Sequence, residues 1–326
     1  MRVLLWHVHG SWTTAFVHGG HTYLVPTNPQ RDSYGLGRAR TYPWPEDVVE
    51  VSPADLARTD VDVVILQRPE ERELARRWLG RDVPTVYVEH NTPKGDVPGT
   101  RHPMADRDDL TLVHVTHFNE LFWDSGGTRT AVIEHGIPDP GARYTGELPR
   151  FGIATNEPVR RGRVTGTDLM PRFARVAPLD VFGMGVAGLP AHLGLLDGGL
   201  PDGALAVHDD PAQSFLHAEL ARRRAYLHLT RWTSLGLSLL EAMFLGMPVL
   251  ALAVTEAVRA VPAGAGILST RVDELVDAAR WLLADETAAR RMGAAARAAV
   301  RDRYGLARFL ADWDRLLKEV ITCASP

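Results

Sequence analysis

Residues 230–252 read TRWTSLGLSLLEAMFLGMPVLAL. The run Tyr226–Leu229 before this stretch and the run Val249–Leu252 at its end are apolar and short enough to be buried strands. Between them, Ser234 and Gly236 form a turn, a helix begins near Leu237, and Gly246 then Pro248 mark its end. Strand, turn, helix, turn and strand make a βαβ unit, which predicts a parallel sheet. The turn leaves amides free to point outward, and the N-terminus of the helix carries a partial positive charge, so this spot suits an anion. Glu241 lies about one turn inside the helix, placed to accept hydrogen bonds from a neutral diol such as a ribose.

The same alternation extends in both directions. Toward the start, Arg2–Val8, Val61–Leu66, Thr85–Val88, Leu112–Val115 and Ala131–Ile133 read as strands, and Glu70–Leu79 reads as a helix. The pattern restarts after the Pro/Gly-rich stretch 138–149, with strands at Phe151–Ile153 and Leu179–Phe182. The tail is helical over 272–283, 286–304 and 306–322. In the last of these, Leu306, Phe309, Leu310, Trp313, Leu316, Leu317 and Val320 recur at helical spacing. The expected fold class is α/β: two Rossmann-like doubly wound domains facing across a cleft, with a helical C-terminal tail. The expected boundaries are 1–145, 146–305 and a final helix over 306–326 that crosses back to the first domain. Ligands of such sheets sit beyond the carboxyl ends of the strands, so the cleft is the expected site. Residues 10–45 are rich in Gly, Pro, Thr and His and lack a long amphipathic helix.

Length and composition narrow the function classes. The 326 residues suit two domains of about 150 each. Hydrophobic residues make up 45% and charged residues 23%, the balance of a globular chain. A formal net charge of -4 argues against a nucleic-acid partner. The single Cys323 excludes a disulfide framework and a cysteine zinc site. No apolar run is long enough to span a bilayer, and MRVLLWHVHG lacks the apolar core of a signal peptide, so a cytoplasmic location is expected. The 13 histidines include no HExxH or comparable ligand set, so no metal is expected. Of the 36 basic residues only Lys94 and Lys318 are lysine. The arginine stripe Arg72, Arg76, Arg77 and Arg81 reads as a solvated helix face, with contact to an anionic membrane surface as the alternative.

The segment SLGLSLLEAMFLGMPV (234–249) resembles the donor-binding signature of the retaining glycosyltransferases of family 4, which have the GT-B fold. DVFGMG (180–185), AGAGIL (263–268), VEHN (88–91) and VIEHGI (132–137) follow in the order of that family. The resemblance implies that Glu241 holds a nucleotide ribose and that the amides at Gly236, Leu237 and Ser238 contact the diphosphate and donor sugar. Gly183 would belong to the turn under the nucleotide, and His90 would face the donor sugar from the acceptor domain. Gly19 and Gly20 either match a Gly-rich first loop on the acceptor side or belong to the loop and strand after the first helix. Two positions depart from the family. Thr233 stands where the signature has its first glutamate, as a shorter, neutral partner for the sugar. In VRRGRVTGTD (159–168), Arg160 takes the family's arginine position, whereas Thr165 takes its lysine position; Arg161 and Arg163 lie close enough to supply the missing charge.

The implied activity moves a sugar from a nucleotide-diphosphate sugar to an acceptor hydroxyl with retention, without a metal or other cofactor. The acceptor would be a small molecule, a glycan or a lipid. Arg160, Arg163 and the N-terminus of the helix would stabilise the departing diphosphate. Two rivals remain open at this point: a nucleotide-sugar epimerase of the same fold, and a degenerate paralogue that binds nucleotide sugars without turnover.

Overall fold

A computed structural model describes residues 1–195 and 199–324; the last two residues of the expected tail helix lie outside the described residues. The chain forms two units, Met1–Pro138 with the segment from Leu306 onward, and Asp139–Gly305.

The first unit holds a seven-stranded parallel sheet. Its strands are β1 (Arg2–Leu5), β2 (Thr22–Pro26), β3 (Val48–Val51), β4 (Val63–Leu66), β5 (Thr85–Glu89), β6 (Thr111–His114) and β7 (Arg129–Val132). Their order is β3-β2-β1-β4-β5-β6-β7, so the winding reverses between β1 and β4. Central strands such as β4 (VVIL) are buried on both faces, which is why they read as unbroken apolar runs. The helix Leu306–Ala324 packs in this unit. Trp313 meets Phe16 edge-on at 5.0 Å and Trp12 at 5.7 Å, burying large aromatic area where single methyl groups would leave gaps.

The second unit holds a six-stranded parallel sheet. Its strands are β8 (Leu148–Ala154), β9 (Leu179–Gly183), β10 (Leu205–Asp209), β11 (Arg223–His228), β12 (Val249–Leu252) and β13 (Gly266–Ser269). The order β10-β9-β8-β11-β12-β13 reverses between β8 and β11. An ionic clamp is built into this sheet. Asp180 on β9 accepts two hydrogen bonds from Arg150 on β8 (2.6 and 2.9 Å) and one from Arg223 on β11 (2.6 Å). Burial pushes the Asp180 carboxyl up, but the two guanidiniums outweigh it and hold the carboxyl below its ordinary range.

Both sheets are Rossmann-like, as expected. The helix after β1 is short, Gly10–Phe16. Four strands exceed the expected set: β2, β3, β10 and β13. Three of them, β3, β10 and β13, are sheet edges whose residues are only partly buried, so they lack a continuous apolar run.

Candidate functional site

The winding reversal between β8 and β11 opens a crevice at the carboxyl ends of these strands. Three chain segments shape it. After β8, Glu157 adopts a left-handed conformation (φ 54°, ψ 46°), a rare state for a residue with a side chain. Its amide donates to the Met184 carbonyl (2.7 Å), and Asn156 Oδ1 accepts from the Met184 amide (2.9 Å). The loops after β8 and β9 are therefore locked together. Gly183, with φ 139°, is required at this junction, because a Cβ there would lie 2.1 Å from the Thr155 carbonyl oxygen.

The third segment is the loop after β11, which leads into the helix Leu237–Leu245. Gly236 is its N-cap and no side chain caps it, so its first amides stay available. A Cβ at Gly236 would lie 2.4 Å from His228 Cε1, so glycine lets the loop pass over that buried ring. Ser238 Oγ lies 2.9 Å from the Tyr226 hydroxyl and donates to the Ala154 carbonyl (3.1 Å), tying the first turn of the helix to the end of β8. Leu237 and Thr233 flank this turn and are half-buried. Gly246 closes the helix in the left-handed region (φ 87°).

Four arginines surround the crevice and differ in their partners. Arg160 contacts Glu157 (3.4 Å) and is exposed. Arg163 pairs with Asp168 (2.9 Å) while its side chain stays 77% exposed. Arg231 also grips Asp168, through two hydrogen bonds of 2.6 and 2.9 Å. Arg161 is half-buried and has no carboxylate partner among the described residues. Burial, then the neighbouring Arg160, lowers its pKa. An uncompensated, partly desolvated cation is the group that gains most from a bound anion.

Thr165 lies in the turn after β8. It is buried, its hydroxyl donates to the Gly162 carbonyl (3.0 Å), and it lies 3.0 Å from Thr167 Oγ1. Its hydroxyl bonds within its own turn.

Glu241 is only 6% exposed. Its Oε1 lies 3.3 Å from Gln213 Nε2 and its Oε2 lies 3.3 Å from His217 Nε2. A carboxylate offers only acceptors, so His217 is the donor. Neither Gln213 nor His217 carries a signal in the sequence, because both reach Glu241 from another helix, Gln213–Leu220.

In the first unit, His90 follows β5. Its ring lies 4.0 Å from that of His9, tilted by 33°, and meets Trp12 edge-on at 5.0 Å. His90 Nε2 and His135 Nδ1 are enclosed and have no hydrogen-bond partner among the described residues. Burial, then Arg68, lowers His9 to about 4. Burial, then His9 and Arg308, lowers His135 to about 3. Burial, then His9 and His135, holds His90 well below its ordinary value. The three rings at the carboxyl ends of the strands are therefore neutral at pH 7. Among the described residues, no group of three or more His, Cys, Asp or Glu side chains is arranged to hold a metal ion.

Gly19 and Gly20 lie in the turn after the helix Gly10–Phe16, just before β2. Of the two readings open in the sequence, this is the loop-and-strand one. The turn sits at the amino end of β2, away from the carboxyl ends where ligands bind, so the acceptor-side expectation for this pair is corrected.

Residues 206–299 match the family model of glycosyl transferases group 1. This group 1 segment contains Gln213, His217, Gly236 and Glu241, and it includes the whole of the 234–249 stretch on which the sequence resemblance rests. Three similar solved structures share the fold. Sucrose-phosphate synthase from Thermosynechococcus elongatus has a TM-score of 0.75 at 14% identity, covering 99% of this chain and 100% of that one. HepE from Anabaena, solved in complex with UDP-glucose, has a TM-score of 0.70 at 14% identity, covering 98% and 100%. A glycosyltransferase from Rickettsia africae has a TM-score of 0.66 at 13% identity, covering 98% of each chain. At these identities the likeness is one of fold. A comparison with curated protein sequences finds no match. No described helix is long and apolar enough to cross a membrane.

Proposed function

We propose that this protein is a glycosyltransferase that takes a sugar from a nucleotide-diphosphate donor and passes it to an acceptor hydroxyl, with retention and without a metal. The observation that carries the reading is the group 1 match over residues 206–299, because it spans both the N-terminus of the helix at Gly236 and the carboxylate of Glu241. Glu241 would hold the ribose diol. The amides of Gly236, Leu237 and Ser238 would receive the diphosphate, with Arg161 as its main cationic partner and Arg160 and Arg163 nearer solvent. Thr233 would touch the donor sugar through its hydroxyl. As the anomeric bond breaks, negative charge collects on the diphosphate, where a preorganised dipole and guanidinium stabilise it. His90, as a neutral imidazole, can exchange a hydrogen bond with a sugar hydroxyl without imposing a charge. The acceptor hydroxyl would attack the face from which the diphosphate leaves.

One observation favours a second reading, binding without turnover: Thr165, at the family's lysine position, is turned inward. Incubation with UDP-, GDP- and dTDP-sugars, scored for donor hydrolysis or transfer, separates the two. Turnover by the wild type that is lost in Arg161→Ala and Glu241→Ala supports the transferase. Donor binding with no turnover, with any acceptor or with water, supports the second reading.

A further inference from the structure

The arginine stripe on the helix Glu70–Leu79 and the loop after it is not a uniform solvated face. Arg72, Arg76 and Arg81 line the mouth of a cavity of about 260 Å³ in the first unit, while Arg77 stays exposed outside it. The floor is apolar: Val64 and Leu66 of β4, with Ala75 and Leu79 of the helix.

Three arginines and two carboxylates, Asp82 and Asp109, line the cavity, and they share partners unevenly. Asp109 is shared by Arg107 (2.7 and 3.0 Å) and Arg72, with Arg76 at 3.7 Å. Hydrogen bonds from Arg107, then Arg72, hold its carboxyl well below the ordinary range. Asp109 thus touches three guanidiniums, of which Arg72 has a second carboxylate partner, Glu73, at 3.2 Å. The other contact of Arg76 is Asp82, also at 3.7 Å, and Asp82 is almost fully solvated. Both contacts exceed hydrogen-bond length, and among the described residues the Arg76 guanidinium donates no hydrogen bond. Arg81 donates to the carbonyls of Thr59 (2.6 Å), Ala57 and Leu79 (3.3 Å each) and has no described carboxylate partner.

We propose that this cavity binds a small anionic amphiphile, one carboxylate or phosphate head on a short hydrocarbon body. The head would meet the Arg76 fork, which suits planar and tetrahedral oxyanions alike, and the body would cover Val64, Leu66 and Ala75. The volume lies just under that of drug-sized pockets, which sets the scale of the ligand. The cavity reaches Thr85, the first residue of β5, whereas His90 follows the last. The cavity runs along β4 to its last residue, Leu66, beneath the helix Glu70–Leu79, and none of His9, His90 and His135 lines it; the inference is independent of the glycosyltransferase reading.

Titration calorimetry of the full chain with octanoate and octyl phosphate tests it, with inorganic phosphate, 1-octanol and phosphatidylglycerol vesicles as separate arms. The expected result is that both amphiphiles bind, that Arg76→Gln weakens them about tenfold, and that Ala75→Leu, which fills the floor, abolishes binding. Arg76 is half-exposed, so its variant decides the matter even where Ala75→Leu disturbs folding. The proposal is overturned if neither amphiphile binds, if Arg76→Gln binds as well as the wild type, if inorganic phosphate alone binds equally well, or if only vesicles bind.

Discussion

His217 Nε2 lies 3.3 Å from Glu241 Oε2, and both side chains are buried. The imidazole fixes one carboxylate oxygen while Gln213 fixes the other, so the carboxylate cannot rotate freely. His217 is therefore a positioning residue for Glu241. Its loss would weaken ground-state and transition-state binding of a ribose equally. His217→Ala is expected to raise the donor KM about tenfold with kcat little changed, and His217→Gln, which keeps an N–H donor, to recover most of the loss. Steady-state kinetics on the three proteins would check this; a fall in kcat at constant KM would contradict it.

The Asp180 clamp predicts a stability effect without a role in chemistry. Asp180 is 2% exposed between Arg150 and Arg223, and Arg223 is itself buried. Asp180→Asn would leave Arg223 short of charge in a dry site, at a cost of about 3 kcal/mol. Urea denaturation would read the loss directly, and a change under about 1 kcal/mol would show that Glu219, the other partner of Arg223, suffices alone.

Gly236→Ala separates the crevice from the core. The added methyl would meet the His228 ring at 2.4 Å, so the loop or the ring must move. The expected stability cost is about 1–3 kcal/mol, as for overpacking elsewhere, with donor binding weakened beyond what that loss explains because the helix amides shift. Equal affinity in the variant, measured on folded protein, would mean that this turn does not touch the donor.

Buried histidines make stability depend on pH. Burial lowers His228 to about 4; burial, then His102, does the same for His114; His135 reaches about 3. Each folded-state value lies below the unfolded value of about 6.5, so the unfolded chain takes up protons first as pH falls. Their contribution is complete above pH 6.5 and is lost between about 6.5 and 4 for His228 and His114, and down to about 3 for His135. From pH 7 to pH 5 each would remove about 2 kcal/mol. Denaturant midpoints at the two pH values would check the sign, and a higher midpoint at pH 5 would contradict it.

Much of the fold is legible in the sequence because central parallel strands are apolar on both faces. Val249–Leu252 and the helix Glu70–Leu79 coincide with their observed limits. β10 (LAVHD) and β3 (VVEV) escape because an edge strand is only partly buried and shows no unbroken run. The turn at Gly236 and the placement of Glu241 on a helix follow from local spacing. The partners of Glu241 do not, since Gln213 and His217 lie 28 and 24 residues away and meet it only through the fold. The local bonds of Thr165 are likewise not legible from spacing, since its hydroxyl meets the Gly162 carbonyl only once the turn is formed.

In the proposed transferase the Asp139–Gly305 unit holds a nucleotide-diphosphate sugar through Glu241. Titration calorimetry of the full chain with UDP-, GDP- and dTDP-sugars measures that binding. At least one of them is expected to bind, and Glu241→Ala to weaken that binding at least about tenfold. No binding by any of the nucleotide sugars, or equal affinity in folded Glu241→Ala, would contradict it.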